Sequence, residues 1–227
     1  METRTEVGMN HSGMLVAEDG GEKMLENTEL TKPKGGDETA LAKIRLQYAK
    51  DADPVGTLPE PRQSGVMAVL MDKLGERLAF ERSGTRLYDA LMVKCAADPS
   101  AGIPAKGLKH IREEEAMHFA LVGAAIRSLG GDPTAQTPCA DVAGVEGSGL
   151  MQVLNDPKTT LAQALHAILV AEMTDNAAWD ELIELTGQAG NDDLVARFSK
   201  ARDSEQDHLE KVQGWYKQVL QGPAAGK

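Results

Sequence analysis

Two copies of one pattern of glutamate and histidine dominate the chemistry that this sequence could perform. In each copy a lone glutamate precedes a Glu-x-x-His pair, by 34 residues in the first copy and by 33 in the second. The residues are Glu81, Glu115, His118, Glu172, Glu205 and His208. Four carboxylates and two imidazoles in this arrangement are the ligand set of a dinuclear metal site inside a four-helix bundle.

Each part of the pattern also has an interpretation without a metal. A single Glu-x-x-His on a helix is usually an exposed i,i+3 pair. A glutamate within an apolar stripe, such as Glu81 or Glu172, can be an edge residue whose carboxylate reaches solvent. The duplicated spacing favours the metal site, because four inward glutamates without metal would repel one another and lose their hydration.

The elements that must position these residues follow from apolar residues at helical spacing. The sequence predicts helices over 66–95, 105–129, 157–187 and 191–221, the third opening at Asp156-Pro157. In an antiparallel hairpin, a separation of 34 residues leaves two legs of about 14 residues and roughly 20 Å each. Each predicted hairpin therefore brings its glutamate and its Glu-x-x-His pair to one level. Residues 131–158 form the longest connection and suit a crossover along the bundle.

The rest of the chain is assigned to appendages of this bundle. We predict a flexible arm over residues 1–60, with a short amphipathic helix near 38–50, then the bundle over 61–222 and a tail over 223–227. The first 37 residues are polar and show no apolar periodicity. Removing them is expected to leave the metal site intact.

Several neighbouring residues have two interpretations each. Tyr88 lies two turns after Glu81 on the same stripe, so it is either a core aromatic or a tyrosine that supports the site by hydrogen bonding or redox chemistry. Asp175 and Asp203 are either hydrogen-bond acceptors for the ligand imidazoles or exposed carboxylates. Glu114 is assigned, with its neighbour Glu113, to a solvated face with local salt bridges.

Composition excludes several classes of protein. The net charge of -11 and an aromatic content of 4% argue against a nucleic-acid-binding protein. No apolar run approaches the roughly 20 residues needed to span a bilayer, and the first residues do not resemble a secretory signal. Cys95 and Cys139 are interpreted as reduced thiols, which favours a cytoplasmic protein.

At the six residues of the repeated pattern, the chain resembles the ferritin-like superfamily of carboxylate-bridged di-iron proteins. This superfamily includes rubrerythrins, bacterioferritins and di-iron oxidases, with the dimanganese catalases nearby. The resemblance covers about residues 61–222 and implies an all-α, ferritin-like four-helix bundle with a long crossover between the second and third helices. It groups the implied ligands as Glu81 with His118 on one metal, Glu172 with His208 on the other, and Glu115 with Glu205 as bridges.

The resemblance implies a protein with two iron ions that reacts with O2 or peroxide, as a ferroxidase, peroxidase or oxidase. It would take electrons from an external donor and form a homo-oligomer. A dimanganese catalase is the first alternative, and a non-catalytic iron-binding, storage or assembly protein is the second. The sequence lacks the Cys-x-x-Cys module of a self-contained rubrerythrin, and its arm and crossover depart from a plain iron-storage ferritin.

Overall fold

The structure, a computed structural model, describes residues 65–222 and the backbone of two short strands. The chain divides into two units between Pro59 and Glu60. In the first unit, β1 (Gly8–Met9) pairs antiparallel with β2 (Leu15–Val16), which the sequence analysis did not predict. Two residues per strand are too few for an alternating pattern to show. The predicted helix near 38–50 and the tail over 223–227 lie outside the described residues.

The described part of the second unit is helical, and its five helices are joined by short turns. They are α1 (Val66–Ala97), α2 (Ala105–Ser128), α3 (Pro138–Asn155), α4 (Leu161–Gln188) and α5 (Asp192–Gln221). The predicted all-α class and four of these helices are therefore confirmed. No helix among residues 65–222 is long and apolar enough to cross a membrane.

The first hairpin turns through a short 3-10 segment, Pro99–Ala101, between α1 and α2. Gly102 follows it with φ 69°, a left-handed conformation that glycine adopts without steric cost. The second hairpin has a similar device, since Gly190 has φ 76°. Asn191 then caps α5 by accepting a hydrogen bond from the Leu194 amide at 3.1 Å. A glycine with positive φ therefore lies in the turn of each hairpin, and a side-chain cap begins the second helix of the second hairpin.

The segment predicted as a connection between the second and third helices of the bundle contains α3. Thr137 caps this helix through its hydroxyl, and Pro138 occupies the first turn. The glycines that suggested a break, such as Gly147, lie within it, although glycine has a weak helix propensity. A Cβ added at Gly147 would lie 3.6 Å from Ser83 Oγ. Tertiary packing overrides weak helix propensity here.

Contacts along α1 give the directions of its neighbours. The Cys139 amide donates to Asp72 at 2.8 Å near the start of α3, and Lys94 Nζ donates to the Asp156 carbonyl at 2.8 Å just beyond its end. Therefore α3 runs alongside α1 in the same direction. The contacts with α4 occur in the reverse order. Lys73 pairs with Glu181 late in α4 at 3.3 Å, and Lys94 Nζ donates to the Thr159 carbonyl, just before α4, at 3.1 Å. Therefore α4 runs antiparallel to α1.

The start of α4 differs from the prediction. Pro157 belongs to the turn, and the helix begins only after Thr160, which forms a capping box with Gln163. The Gln163 amide donates to Thr160 Oγ1 at 3.2 Å, and the Thr160 amide donates to Gln163 Oε1 at 2.8 Å. Asp156 instead terminates α3. The reciprocal cap outweighs the weaker start signal of Asp156-Pro157.

The core consists of two apolar clusters with a polar layer between them. One cluster includes Leu87, Leu91, Leu108, Ile111, Leu165, Ile168 and Val212. The other includes Leu70, Leu74, Val122, Ile126, Trp179, Leu182 and Phe198. On α1, α2, α4 and α5, the residues of the repeated pattern fall between the positions that enter the two clusters. Apolar packing on both sides therefore fixes the height of the polar layer.

Candidate metal centre

All six residues of the repeated pattern lie buried in this polar layer. Their exposed fractions do not exceed 6%, the value for His118. Glu81 comes from α1, Glu115 and His118 from α2, Glu172 from α4, and Glu205 and His208 from α5. The spacing predicted that the four helices bring these side chains to one level, and the structure does so. Their role as metal ligands stays a prediction.

The side chains form overlapping groups whose ligand atoms lie within 4.8 Å of one another. One group is Glu115, Glu172, Glu205 and His208, and another is Glu81, His118 and Glu205. Glu205 belongs to both, which is the position expected of a bridging carboxylate. Glu115, the other implied bridge, is absent from the His118 group but joins Glu81 and Glu205 in a third group.

Glu205 lies between the two imidazoles. Its Oε1 is 2.5 Å from His118 Nδ1, and its Oε2 is 2.9 Å from His208 Nδ1. The ring centroids of His118 and His208 are 6.1 Å apart. Glu115 Oε1 lies 3.5 Å from His208 Nδ1. In both imidazoles Nδ1 is therefore the nitrogen that faces Glu205.

The donors fit a pair of cations. Six buried carboxylate oxygens have no hydrogen-bond partner within residues 65–222. Five belong to the predicted ligands, namely both oxygens of Glu81, Oε2 of Glu115, Oε2 of Glu172 and Oε1 of Glu205, and the sixth is Asp175 Oδ1. A buried acceptor without a partner is costly, and a buried carboxylate without one is more so. Glu81 Oε1 lies beside Arg77. Two divalent cations would satisfy the oxygens that face neither a guanidinium nor an imidazole, and would balance the negative charges of the four glutamates. The residues present therefore fit a dinuclear metal ion pair.

Protonation of the metal-free site follows from its burial. Burial raises the pKa of Glu81 and Glu172 well above the ordinary value, and neighbouring carboxylates raise both pKa values further. Burial alone would raise the pKa of Glu205, but the two imidazoles lower it to about 2. Burial alone would lower the pKa of His208, but the facing carboxylates of Glu115 and Glu205 raise it to about 11. Without metal, protons bound to Glu81, Glu172 and His208 therefore neutralise part of the negative charge of the layer.

Tyr88 contacts the site directly. Its hydroxyl donates a hydrogen bond to Glu172 Oε1, and the whole residue is 2% exposed. Burial, together with the negative charge of Glu172, raises the pKa of the phenol well above its ordinary value. The tyrosine is therefore a neutral donor that fixes one oxygen of Glu172 and leaves the other free.

A buried ion pair beside the site was missed by the sequence analysis. Arg77 is 2% exposed, contacts the carboxylate of Asp175, and lies with its Nε 3.3 Å from Glu81 Oε1. Asp175 was predicted as an acceptor for an imidazole or as an exposed residue, and the structure pairs it with Arg77 instead. The one signal for Arg77 in the sequence is weak: it lies four residues before Glu81 on the same helix face, and a single pair of this kind is usually exposed.

Glu114 corrects a second expectation. It was assigned to a solvated face, but its side chain is only 18% exposed and its Oε2 lies 3.0 Å from His208 Nε2. The same oxygen lies 3.2 Å from Nε2 of the exposed His110. Glu114 therefore orients the outer nitrogen of His208, which leaves Nδ1 for a metal. Asp203, by contrast, is exposed.

Two further residues shape the layer without offering a ligand atom. Asn176 donates through Nδ2 to the backbone carbonyls of Glu172, at 2.9 Å, and Glu205, at 3.0 Å, and so links α4 to α5. Gly84 provides room on α1, since an added Cβ would overlap Glu115 Oε2. The helical spacing of apolar residues in the sequence predicts neither the Asn176 hydrogen bonds nor the space at Gly84.

Comparison with models of known protein families gives no match for this chain, and comparison with curated proteins gives none. Among solved structures, the chain is similar to a crystal structure of ferritin-like, diiron-carboxylate proteins from Bacillus anthracis str. Ames. The TM-score is 0.52 at 17% sequence identity, and the match covers 68% of this chain and 99% of that chain. The fold is ferritin-like. A ferritin-like fold around a buried cluster of carboxylates and imidazoles fits a dinuclear metal protein.

Proposed function

We propose that this chain is a di-iron protein whose buried centre reacts with O2 or peroxide, as a ferroxidase, peroxidase or oxidase. The observation that carries the proposal is the placement of Glu205 between His118 and His208, with three more glutamates around them. The ligands would be Glu81, Glu115, His118, Glu172, Glu205 and His208. Assembly into a homo-oligomer and a cytoplasmic location stay predictions.

The donor set supports iron or manganese over softer metals. Carboxylate oxygens and imidazole nitrogens suit both ions, and neither thiol belongs to the clustered groups among the described residues. Two iron ions bound here would supply electrons in pairs to O2 or peroxide. The dimanganese alternative uses the same donors, so geometry alone favours neither metal.

Burial supports a small reactant. The six side chains are at most 6% exposed, so a bulky organic substrate has no direct contact with the atoms that face the metal positions. The apolar clusters on either side keep water from the layer and strengthen the electrostatic interactions within it. O2 and peroxide fit this access.

The chain's own residues would hold the ligands in place as the charge of the centre changes. Tyr88 donates to one oxygen of Glu172, and Glu114 accepts from the outer nitrogen of His208. Each contact fixes one atom of a ligand and leaves another for the metal. The phenol of Tyr88 is also the aromatic group placed to give up an electron and a proton beside the centre.

Metal analysis followed by oxidation tests the proposal. Protein purified without chelator should contain about two metal ions per chain, and the anaerobic Fe(II)-loaded protein should consume O2 or peroxide with a change in its absorbance spectrum. Peroxide disproportionation by the manganese-loaded protein alone would favour a catalase. Many iron ions per chain in a large particle would favour storage. A chain that binds neither metal would contradict the proposal.

Tyr88→Phe tests the role of the phenol. Since phenylalanine preserves the apolar packing, we expect the variant to keep its metal content and to react with O2 or peroxide at an altered rate, without any tyrosyl signal in its electron paramagnetic resonance spectrum. Tyr216→Phe, at a half-buried position beside His166, is the matched control. An unaltered rate and signal in Tyr88→Phe would show that Tyr88 is only a core residue.

A further inference from the structure

Arg77 is a permanent cation at the edge of a layer rich in carboxylates. Its guanidinium contacts the Asp175 carboxylate, and its Nη1 donates to the Asp175 backbone carbonyl at 3.3 Å. The guanidinium carbon also lies 4.3 Å from the centroid of the Phe80 ring and 6.0 Å from that of Trp179. Two aromatic rings and two contacts with Asp175 hold this charge in one place.

We propose that Arg77 and Asp175 form a counter-ion pair that adjusts the centre to two divalent cations and positions Glu81. This inference rests on the dinuclear site of the proposed function. It assigns a role to two residues that are not among the six ligands.

The orientation of Glu81 follows from Arg77. The guanidinium Nε lies 3.3 Å from Glu81 Oε1, whereas Glu81 Oε2 lies 3.9 Å from His118 Nδ1. One oxygen therefore faces the arginine and the other faces the metal position shared with His118. A carboxylate held in this way offers one oxygen to the metal rather than two. Arg77 is a positioning residue for this ligand.

Asp175 lies close enough to the centre to act as a ligand itself. Its carboxylate belongs to a third group, with Glu81, Glu115 and Glu205, whose ligand atoms lie within 4.8 Å of one another. Arg77 contacts this carboxylate and so competes with any cation for it. The ion pair thus withholds a seventh protein ligand from the metal positions.

The net charge of the layer is the same with both partners of the pair or with neither, and it changes only when one partner is lost. The glutamates 81, 115, 172 and 205 with Asp175 carry five negative charges, and Arg77 contributes one positive charge. The sum is -4, which two divalent cations neutralise. Loss of Asp175 alone leaves -3 and an unpaired guanidinium that repels the metals. Loss of both partners restores -4.

Three variants together distinguish a counter-ion pair from a purely structural ion pair, and the double variant decides between them. Asp175→Asn should weaken binding in an anaerobic Fe(II) titration against a competing chelator, by roughly 10- to 100-fold. Adding Arg77→Gln to that variant should recover most of the lost affinity, because the charge balance returns. Arg77→Gln alone should bind Fe(II) more tightly than Asp175→Asn, because Asp175 becomes free to ligate and offsets the lost orientation of Glu81. A purely structural pair predicts lower affinity in every variant.

An exposed arginine–aspartate pair supplies the matched control. Arg112 Nε lies 3.0 Å from Asp89 Oδ1, between α2 and α1, and neither residue lies within the layer. Asp89→Asn and Arg112→Gln should leave Fe(II) affinity unchanged. Circular dichroism of each variant shows whether it is folded. If Arg77→Gln does not fold alone, the double variant still decides, because replacing both partners of a buried pair is often neutral for stability.

The outcomes separate this inference from the proposed function. If the unmodified chain binds two Fe(II) ions and the double variant is as weak as Asp175→Asn or weaker, the counter-ion role is overturned and the dinuclear site stands. Affinity in Asp175→Asn equal to that of the unmodified chain also overturns it. An unmodified chain that binds no Fe(II) overturns both. Recovery in the double variant supports the counter-ion pair.

Discussion

Single carboxylates in this centre have unequal roles because each meets different neighbours. Glu205 faces an imidazole with each oxygen, Glu172 is fixed by a phenol, and Glu81 is fixed by a guanidinium. Side chains of one chemical type thus receive different orientations before any metal binds. These differences arise from residues that carry no ligand atom in the predicted set.

Replacement of each ligand imidazole tests the site most directly. We expect His118→Ala and His208→Ala each to lose most of the bound metal, because each change removes a nitrogen donor. The apolar clusters on either side remain, so the variants should keep their helical circular dichroism spectrum. The measurement is metal content per chain after purification without chelator.

His166→Ala serves as the control for these variants. His166 is exposed on α4, and its ring lies 5.8 Å from that of Tyr216 rather than in the layer. Its variant should retain full metal content. Equal metal content in His208→Ala and in His166→Ala would contradict the ligand assignment.

The sequence revealed the six clustered residues because their spacing repeats and their types are few. It did not reveal Arg77 or Asn176, since an isolated charge or amide within an apolar stripe has no repeat to distinguish it. Glu114 was missed for another reason. It adjoins the charged residues Glu113 and Arg112, and only the position of α5 shows that its carboxylate reaches His208.

At the level of helices, α3 is the element that sequence reasoning passed over. Glycines at 144, 147 and 149 indicated a loop, yet they lie within a helix that packs on α1. The predicted hairpins α1–α2 and α4–α5 were confirmed because their apolar stripes are long and continuous. Short, glycine-containing helices depend on a neighbouring surface that a single sequence does not display.

Gly84 gives a prediction at this level. Replacing a glycine inside a helix by alanine usually stabilises it, by about 0.5–1 kcal/mol. At Gly84 the new methyl group would overlap Glu115 Oε2, so Gly84→Ala should displace this carboxylate and weaken metal binding while the helix persists. Metal titration and thermal unfolding of the same sample separate the two effects.

Gly214→Ala is the matched control, since Gly214 lies exposed on α5 with no atom within 4 Å of an added Cβ. This variant should unfold at a slightly higher temperature and bind metal normally. If Gly84→Ala also binds metal as tightly as the unmodified chain, Glu115 does not depend on the space beside α1.

For the whole molecule, burial of carboxylates makes the metal-free protein sensitive to pH. The pKa values of Glu81, Glu172 and Asp175 are raised by burial, so the folded chain keeps protons that the unfolded chain releases above about pH 4.5. The pKa of His208, raised to about 11 from 6.5, adds stability that is lost as pH rises above 6.5. The lowered pKa of Glu205, about 2 instead of 4.5, adds stability that is lost only as the pH falls below 4.5.

We therefore expect the unfolding temperature of the metal-free protein to fall between about pH 5 and pH 9. Bound metal replaces the protons, so the stabilisation by metal should grow over the same range. Thermal unfolding with and without metal at fixed metal concentration measures both trends. A metal-free protein that becomes more stable from pH 5 to pH 8 would contradict this account.

The first 37 residues of the chain give a further prediction for the whole molecule. A chain that starts near Asp37 should keep its metal content, because residues 1–37 contain a single histidine, His11, and no Glu partner at i+3 or i+4. Metal content and particle mass of the short and full-length chains are the measurements. If the short chain binds no metal, the arm is part of the site. A mass loss larger than the missing residues would make the arm an assembly element.

The amide of Asn176 has a thermodynamic consequence for the entire α4–α5 pair. It holds the backbones of two predicted ligands, Glu172 and Glu205, together through neutral hydrogen bonds of 2.9 and 3.0 Å, which do not depend on a cation. The interhelical spacing at the centre is thus preorganised, and cation capture need not order the backbone there. A smaller entropic penalty of capture follows, so calorimetry of metal binding should show a less favourable entropy in Asn176→Ala than in the unmodified chain.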